Sequence, residues 1–172
     1  FRIVLPLTLA TFRGILVRAG ERLFVVPAVN VERAVRIAAG DIRTVENRET
    51  IPLGGQAVPL VRLGDTLELP RKAASGEPGD SVQAVVLGSG LARIAFQVEE
   101  VLGEQEVLVK ALGPQLARVR NGAGASVLGT GQVVPVLNVA DLMKSAAKTA
   151  RPPAAAEKPA QAQQRSVLVA ED

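Results

Sequence analysis

Residues 55–65 read GQAVPLVRLGD, and residues 131–141, 76 positions further on, read GQVVPVLNVAD. Five of the eleven positions are identical, and one of them is a proline within an apolar, strand-like stretch. Proline is unusual there because it cannot donate to the hydrogen-bond ladder of a sheet. An apolar run, a turn and a returning run precede each copy. The repeat therefore predicts two similar lobes, at about residues 12–70 and 81–145.

Both lobes are predicted to be β structure, because short runs of Val, Leu and Ile alternate with turn residues about every ten positions. The pair Gly54-Gly55 between two runs is typical of a type I′ hairpin turn, which needs positive φ at both positions. Helix is expected only at 63–69 and from Asn138, a capping residue, to Ser145. The predicted fold class is all-β: two pseudo-symmetric five-stranded β-barrel lobes with few short helices.

The composition excludes several kinds of chemistry. The 172 residues contain no His or Cys, which excludes a Ser-His-Asp triad, a Cys nucleophile, a phospho-accepting His, a disulfide and a thiolate or imidazole metal site. The net charge of +3 comes mostly from residues 144–165, whereas the body is neutral. A neutral body with no Trp or Tyr lacks the basic footprint and the stacking rings of a nucleic-acid binder.

Two glycine-rich stretches, Gly88–Gly90 and Gly122–Gly124, are interpreted as turns. A phosphate-binding loop needs a Gly-Lys-Ser/Thr sequence, or three glycines between a strand and a helix, and neither context is present.

Acidic residues are likewise assigned structural roles. Glu99, Glu100, Glu104 and Glu106 are expected on a solvated turn, because neighbours on a strand point to opposite faces. Asp65 and Asp141 recur in the repeat and are interpreted as helix-start caps.

The chain ends differ from the body. Residues 144–165 contain no Leu, Ile, Val, Phe or Met but three prolines, so residues 146–165 are predicted to be a disordered Ala/Pro-rich linker. Apolar residues return at 166–170, which is typical of the first strand of a further domain.

The ordered set of motifs resembles the CheW-like regulatory domain of chemotaxis histidine kinases of the CheA type. The matching stretches are FVVP at 24–27 with Val31-Glu32, GQAVPLVRL at 55–63, VEEVLGEQEVLVK at 98–110 and GASVLG at 124–129. Residues 1–11 resemble the end of the kinase's ATP-binding domain, and 166–172 the start of a receiver domain. In such a receiver, Glu171 and Asp172 would help to hold Mg²⁺. The resemblance thus implies a hybrid kinase as parent.

The resemblance implies a scaffold with two barrels around a shared apolar seam. It implies binding of a CheW-type adaptor in rings, coupling to methyl-accepting chemoreceptor tips and contact with neighbouring kinase domains, in the cytoplasm at membrane-associated arrays. It implies no enzymatic activity, cofactor, nucleic acid or membrane insertion for this chain, with ATP and Mg²⁺ used elsewhere in the parent. By position, the contacts are predicted at Val35, Ile37 and Ile42 in the first lobe and at Leu102, Val107 and Leu108 in the second. Barrel core is the alternative for each.

Three other functions stay open at this point. The chain could be a stand-alone CheW-like adaptor, a nucleic-acid-binding β-barrel, or a small β-barrel enzyme that uses Glu99 or Asp141. The last is the least favoured, because nothing in the sequence brings two carboxylates together.

Overall fold

The computed structural model describes residues 10–70, 81–89, 92–110 and 120–149. The first half of the chain forms β1 (Ala10–Ala19), β2 (Arg22–Pro27), β3 (Val31–Ala38), β4 (Arg43–Val45), β5 (Arg48–Leu53), β6 (Gln56–Arg62) and α1 (Leu63–Thr66). The second half forms β7 (Ser81–Ser89), β8 (Ala92–Val98), β9 (Glu100–Lys110), β10 (Gly122–Val127), β11 (Val133–Leu137) and α2 (Val139–Thr149).

These strands form two sheets, as the all-β prediction requires. One is a closed five-stranded barrel in the order β1-β2-β11-β10-β9, and the other is a six-stranded sheet in the order β3-β7-β8-β6-β5-β4. The second sheet has one strand more than predicted because the chain folds back at Glu46-Asn47. Both residues have positive φ, and the register pairs Val45 with Arg48 on either side of them.

The sequence predicts that residues 70–80 divide the strands between the two lobes. The structure does not divide the strands there. The β1–β2 hairpin of the first repeat joins β9, β10 and β11 of the second, and the β7–β8 hairpin joins β3 to β6 of the first. The repeat therefore holds element by element, but the two copies exchange their first hairpins. A repeat in sequence shows which elements are alike; it does not show which copy each element pairs with.

The repeated motif adopts the same structure twice. In the first copy, Gly54 and Gly55 have φ of +56° and +81°, as the predicted turn requires. Pro59 and Pro135 each lie directly before a parallel pairing, Leu60 with Ala95 and Val136 with Val25. Since proline has no N–H, it fits where a parallel ladder has not yet begun.

Three apolar clusters form the core. One fills the closed barrel, one lies on the inner face of the second sheet, and the largest is the predicted seam between the two sheets, with contributions from α2. Strand β2 shows how the seam arises: Phe24 and Val26 point into it, whereas Val25 points into the barrel. A strand buried on both faces ties the two lobes into one core.

Some local predictions are corrected by the structure. Gly122 and Gly124 lie within β10, because the turn comes one step earlier, at Arg120-Asn121, where Asn121 has φ of +61°. Gly88 lies in β7. Helix α1 is shorter than predicted and α2 is longer.

The helix caps are confirmed in one copy only. Asn138 Oδ1 accepts a hydrogen bond from the Asp141 backbone N–H at 3.3 Å, so Asn138 caps α2 and Asp141 lies in its first turn. Helix α1 follows Arg62 without a side-chain cap bond at that residue. Asp65 lies in the first turn of α1, as Asp141 does in α2, so neither aspartate is itself the N-cap residue. The predicted linker, the residues before Ala10, Glu171 and Asp172 lie outside the described residues.

Candidate functional site

Exposed apolar side chains are concentrated on the closed barrel. Within the described ranges, six large apolar side chains are exposed: Val29, Val45, Leu102, Leu108, Val127 and Val133. Four of these lie on β9, β10 and β11. The exposed apolar side chains are therefore grouped on adjacent strands rather than scattered singly over the surface.

Three of the four form a row across neighbouring strands. Val127 pairs with Val133 across β10 and β11. Ser126 pairs with Val109, so the antiparallel register places Val127 beside Leu108. The exposed fractions are 40% for Leu108, 55% for Val127 and 64% for Val133. We call Leu108, Val127 and Val133 the valine row.

The row faces outward because its neighbours along the strands face inward. Ser126 and Val134 are buried in the barrel, and residues adjacent on a strand point to opposite faces. Charged side chains on β1 and β9 border the row. Arg13 pairs with Glu104 at 3.5 Å, and Glu106 is exposed beside them. An apolar strip with a charged border is typical of a protein-binding surface.

Leu102 is exposed for a separate reason, which is a β-bulge. Leu16 pairs with Gly103 and Val17 pairs with Val101, so Leu102 is an extra residue without a partner on β1. Gly103 has φ of +134°, a conformation that glycine adopts readily. The bulge turns the Leu102 side chain outward, where it is 47% exposed.

The six residues predicted from the sequence fall into three groups. Leu102 and Leu108 are exposed. Val35 and Ile42 are half-buried and pack on the inner cluster of the second sheet. Ile37 and Val107 are 8% and 2% exposed; their side chains fill the interiors of the two lobes and have almost no surface for a partner. Partner binding at these positions stays a prediction.

Val127 and Val133 are not among the contact residues predicted from the sequence. Adjacent valines at 133 and 134 must point to opposite faces of β11, so the sequence did indicate that one of them faces outward. Val127 gave no such signal, because its inward-facing neighbour on β10 is the polar Ser126.

The acidic residues are engaged in local contacts. Glu99 Oε2 accepts a hydrogen bond from the Gly20 backbone N–H at 2.9 Å, Glu100 pairs with Arg18, and Asp141 pairs with Lys144 at 3.7 Å. No three His, Cys, Asp or Glu side chains among the described residues are grouped as metal ligands. No helix in this part of the chain is long and apolar enough to cross a membrane.

Comparison with known proteins agrees with this architecture. The family model described as "CheW-like domain" matches residues 13–147. The sensor histidine kinase CheAY of Helicobacter pylori is 32% identical over 145 residues, which are 84% of this chain and 18% of that protein. The chemotaxis protein CheA of Bacillus subtilis is 31% identical over 138 residues, 80% of this chain and 20% of that protein.

A solved structure gives the same fold. The scaffolding protein TtCheW of Thermoanaerobacter tengcongensis matches with a TM-score of 0.60 at 12% identity, covering 75% of this chain and 90% of that one. The present chain spans about a fifth of the length of the CheA and CheAY proteins that it matches.

Proposed function

The chain belongs to the family of CheW-like domains, and from that membership we propose that it is the regulatory domain of a chemotaxis-type histidine kinase. A CheW-like domain is non-catalytic, so the proposed role is scaffolding: it couples receptor signals to autophosphorylation elsewhere in the parent. The kinase activity of that parent, with its ATP and Mg²⁺, is part of the proposal.

The proposed partners are a CheW-type adaptor, methyl-accepting chemoreceptor tips and the neighbouring kinase domains. The proposed location is the cytoplasm, at membrane-associated receptor arrays. Support comes from the similarity to CheA proteins along most of this chain and from the two similar lobes. Two alike lobes allow each end to meet a related protein in a head-to-tail arrangement, which can close into a ring.

The valine row is the observation that carries the adaptor-binding proposal. It places three exposed apolar side chains on adjacent strands of a closed barrel. The barrel has no open edge, so a partner meets side chains rather than unpaired backbone. Covering such side chains contributes roughly 25 cal/mol for each Å² of apolar surface removed from water, from which the entropy cost of association must be subtracted.

A stand-alone CheW-like adaptor is the second candidate, and the structural match to the scaffolding protein TtCheW favours it. The two candidates differ in what the gene encodes on either side of this chain. The kinase proposal expects an ATP-binding domain before Phe1 and a receiver domain after Asp172, with Glu171 and Asp172 beside its Mg²⁺. A longer gene sequence without those domains would favour the adaptor.

Binding to a purified CheW-type adaptor, measured by isothermal titration calorimetry, tests the proposal. We expect Leu108→Asp and Val133→Asp each to weaken binding at least tenfold, because a carboxylate buried without a partner is costly. Leu102→Asp and Val35→Asp test the contacts predicted from the sequence. Ala140→Asp, on an exposed position in the first turn of α2, is the control and should bind normally.

Circular dichroism must show that each variant is folded. If folded Leu108→Asp and Val133→Asp proteins bind the adaptor as tightly as the parent chain does, the valine row is not the docking surface.

A further inference from the structure

A notch opens between two parallel strands of the second sheet. Strands β6 and β8 pair only from Leu60 with Ala95 to Arg62 with Gln97. Before these pairs the strands diverge and leave a groove of about 620 Å³, closed at one side by α2. Its lining residues are Arg48, Gln56, Ala57, Val58, Pro59, Val61, Ala92, Arg93, Ile94 and Ala147. Pro59, without an N–H, lies where the divergence begins.

Backbone groups of both strands face this notch. Leu53 and Gln56 flank the two-residue turn and form a hydrogen-bonded pair. Bonded and non-bonded pairs alternate along an antiparallel ladder, so the N–H and C=O of Ala57 point away from β5, toward β8. By the same alternation from the Ser89–Ala92 pair, the N–H and C=O of Arg93 point toward β6. No other described strand pairs with either residue on that side.

The charge of the notch is positive. Its two charged lining residues are Arg48 and Arg93, and none of its lining residues is acidic. Arg93 Nε already contacts Glu32 Oε2 at 2.9 Å. Arg48 has no ion pair with any other described residue. A guanidinium binds carboxylates through two parallel hydrogen bonds, so the notch is complementary to an acidic segment.

We propose that the notch between β6 and β8 binds an extended, acidic peptide segment of a partner protein. The segment adds backbone hydrogen bonds to Ala57 and Arg93, in the manner of an added strand. Its carboxylates bind Arg48, and its alternate apolar side chains cover Ala57 and Ala92, which are exposed at the notch. This site lies on the second sheet, apart from the valine row on the closed barrel, so it goes beyond the adaptor-binding role.

A synthetic peptide tests the proposal directly. The probe is an acetylated and amidated Val-Glu-Val-Glu-Val peptide, titrated into the ¹⁵N-labelled full chain and followed by the backbone amide signals. We expect the amide signals of Ala57 and Arg93 to shift in a saturable manner. The matching peptide with Lys in place of Glu should bind at least tenfold more weakly. Equal binding of both peptides, or no shift at Ala57 and Arg93, would overturn the proposal.

Two variants test the charge and the shape of the notch. Arg48→Glu should weaken binding of the glutamate peptide at least tenfold, while Arg36→Glu, on exposed β3, should not. Ala147→Phe fills the notch from α2 and should have a similar effect; Ala140→Phe on the same helix is its control. If Arg48→Glu and Ala147→Phe bind the peptide normally, the notch is not the site. Adaptor binding by the same variants is expected to be unchanged. A negative peptide result would therefore contradict the notch proposal without contradicting the adaptor-binding proposal.

Discussion

The interior of the closed barrel is so narrow that single atoms decide its packing. A Cβ atom added at Gly14 on β1 would lie 2.4 Å from Val25 Cγ1 and 3.4 Å from Val107 Cγ2. Both valines are themselves buried in the barrel and cannot move away without displacing β2 and β9. Gly14 is therefore required for close approach and not for a special backbone conformation.

We predict that Gly14→Ala lowers the free energy of unfolding by about 1–3 kcal/mol, the usual cost of overpacking a core. Urea denaturation followed by circular dichroism measures it. Gly88→Ala on β7 is the matched control, because nothing lies within 4 Å of a Cβ atom there. A change as small as that of the control would mean that the barrel has more room than the structure shows.

Ser126 is a second unusual residue of the same interior. Its side chain is fully buried, and its Oγ has no hydrogen-bond partner among the described residues. An unsatisfied buried hydroxyl costs roughly 1–3 kcal/mol. We predict that Ser126→Ala raises the free energy of unfolding by about 1 kcal/mol in the same denaturation experiment. A loss of stability would instead show that the hydroxyl is bound, for example by an internal water molecule.

At the level of single residues, the sequence predicted which apolar positions are candidates for contacts, but not whether each side chain points into the core or toward solvent. Ile37 and Val107 look as suitable for a partner as Leu102 and Leu108 do in the sequence. Their burial depends on strand phase, and in β9 that phase is reset by the bulge at Leu102. A one-residue shift sends every later side chain to the other face, and Gly103, an isolated glycine within a strand, is the local sign of that shift.

Among the elements, the two helices are joined through one buried side chain. Asn121 Nδ2 donates to the Thr66 carbonyl at 3.3 Å, and Asn121 Oδ1 accepts from Ser145 Oγ at 2.9 Å. The Asn121 carbonyl accepts from the Asn138 backbone N–H at 2.9 Å. One residue in the left-handed region thus connects the end of α1, the start of α2 and the start of β10.

We predict that Asn121→Ala destabilises the protein by about 2–4 kcal/mol, because it leaves buried polar groups unpaired and places alanine at positive φ. Asn121→Gly keeps the backbone conformation accessible and isolates the side-chain contribution, so it should cost less. Thermal unfolding of both variants measures the two costs. If the glycine variant is as stable as the parent chain, the helices are held by apolar packing alone.

Several elements followed from local sequence. The Gly54-Gly55 hairpin and the Asn138 cap are confirmed because turn and cap chemistry act within a few residues. Asp65 and Asp141 lie in the first turns of α1 and α2 and not at the N-cap positions, and α1, only one turn long, starts directly from β6. The repeat of Pro59 and Pro135 predicted two like structures and is confirmed by their equivalent positions before parallel pairings.

The whole molecule depends on an exchange that the sequence did not indicate. Each lobe contains a hairpin from the other repeat, and the exchanged hairpins carry most of the shared seam, including Phe24 and Phe96. Strand pairing over such distances is decided by which arrangement buries both faces of β2 and β8. That choice depends on the complete set of strands, so the pairing cannot be predicted from the sequence of any single strand.

The exchange predicts that the two repeats cannot fold separately. A protease site inserted between Pro70 and Ser81 divides the repeats, yet each half supplies two strands to the other half's sheet. We expect the cleaved halves to remain together in size-exclusion chromatography under native conditions and to separate only in denaturant. Residues 10–70 expressed alone should be unfolded by circular dichroism, because β1 and β2 would lose their pairing with β9 and β11. Halves that separate after cleavage, each still folded, would mean that every repeat forms its own lobe, against the topology described above.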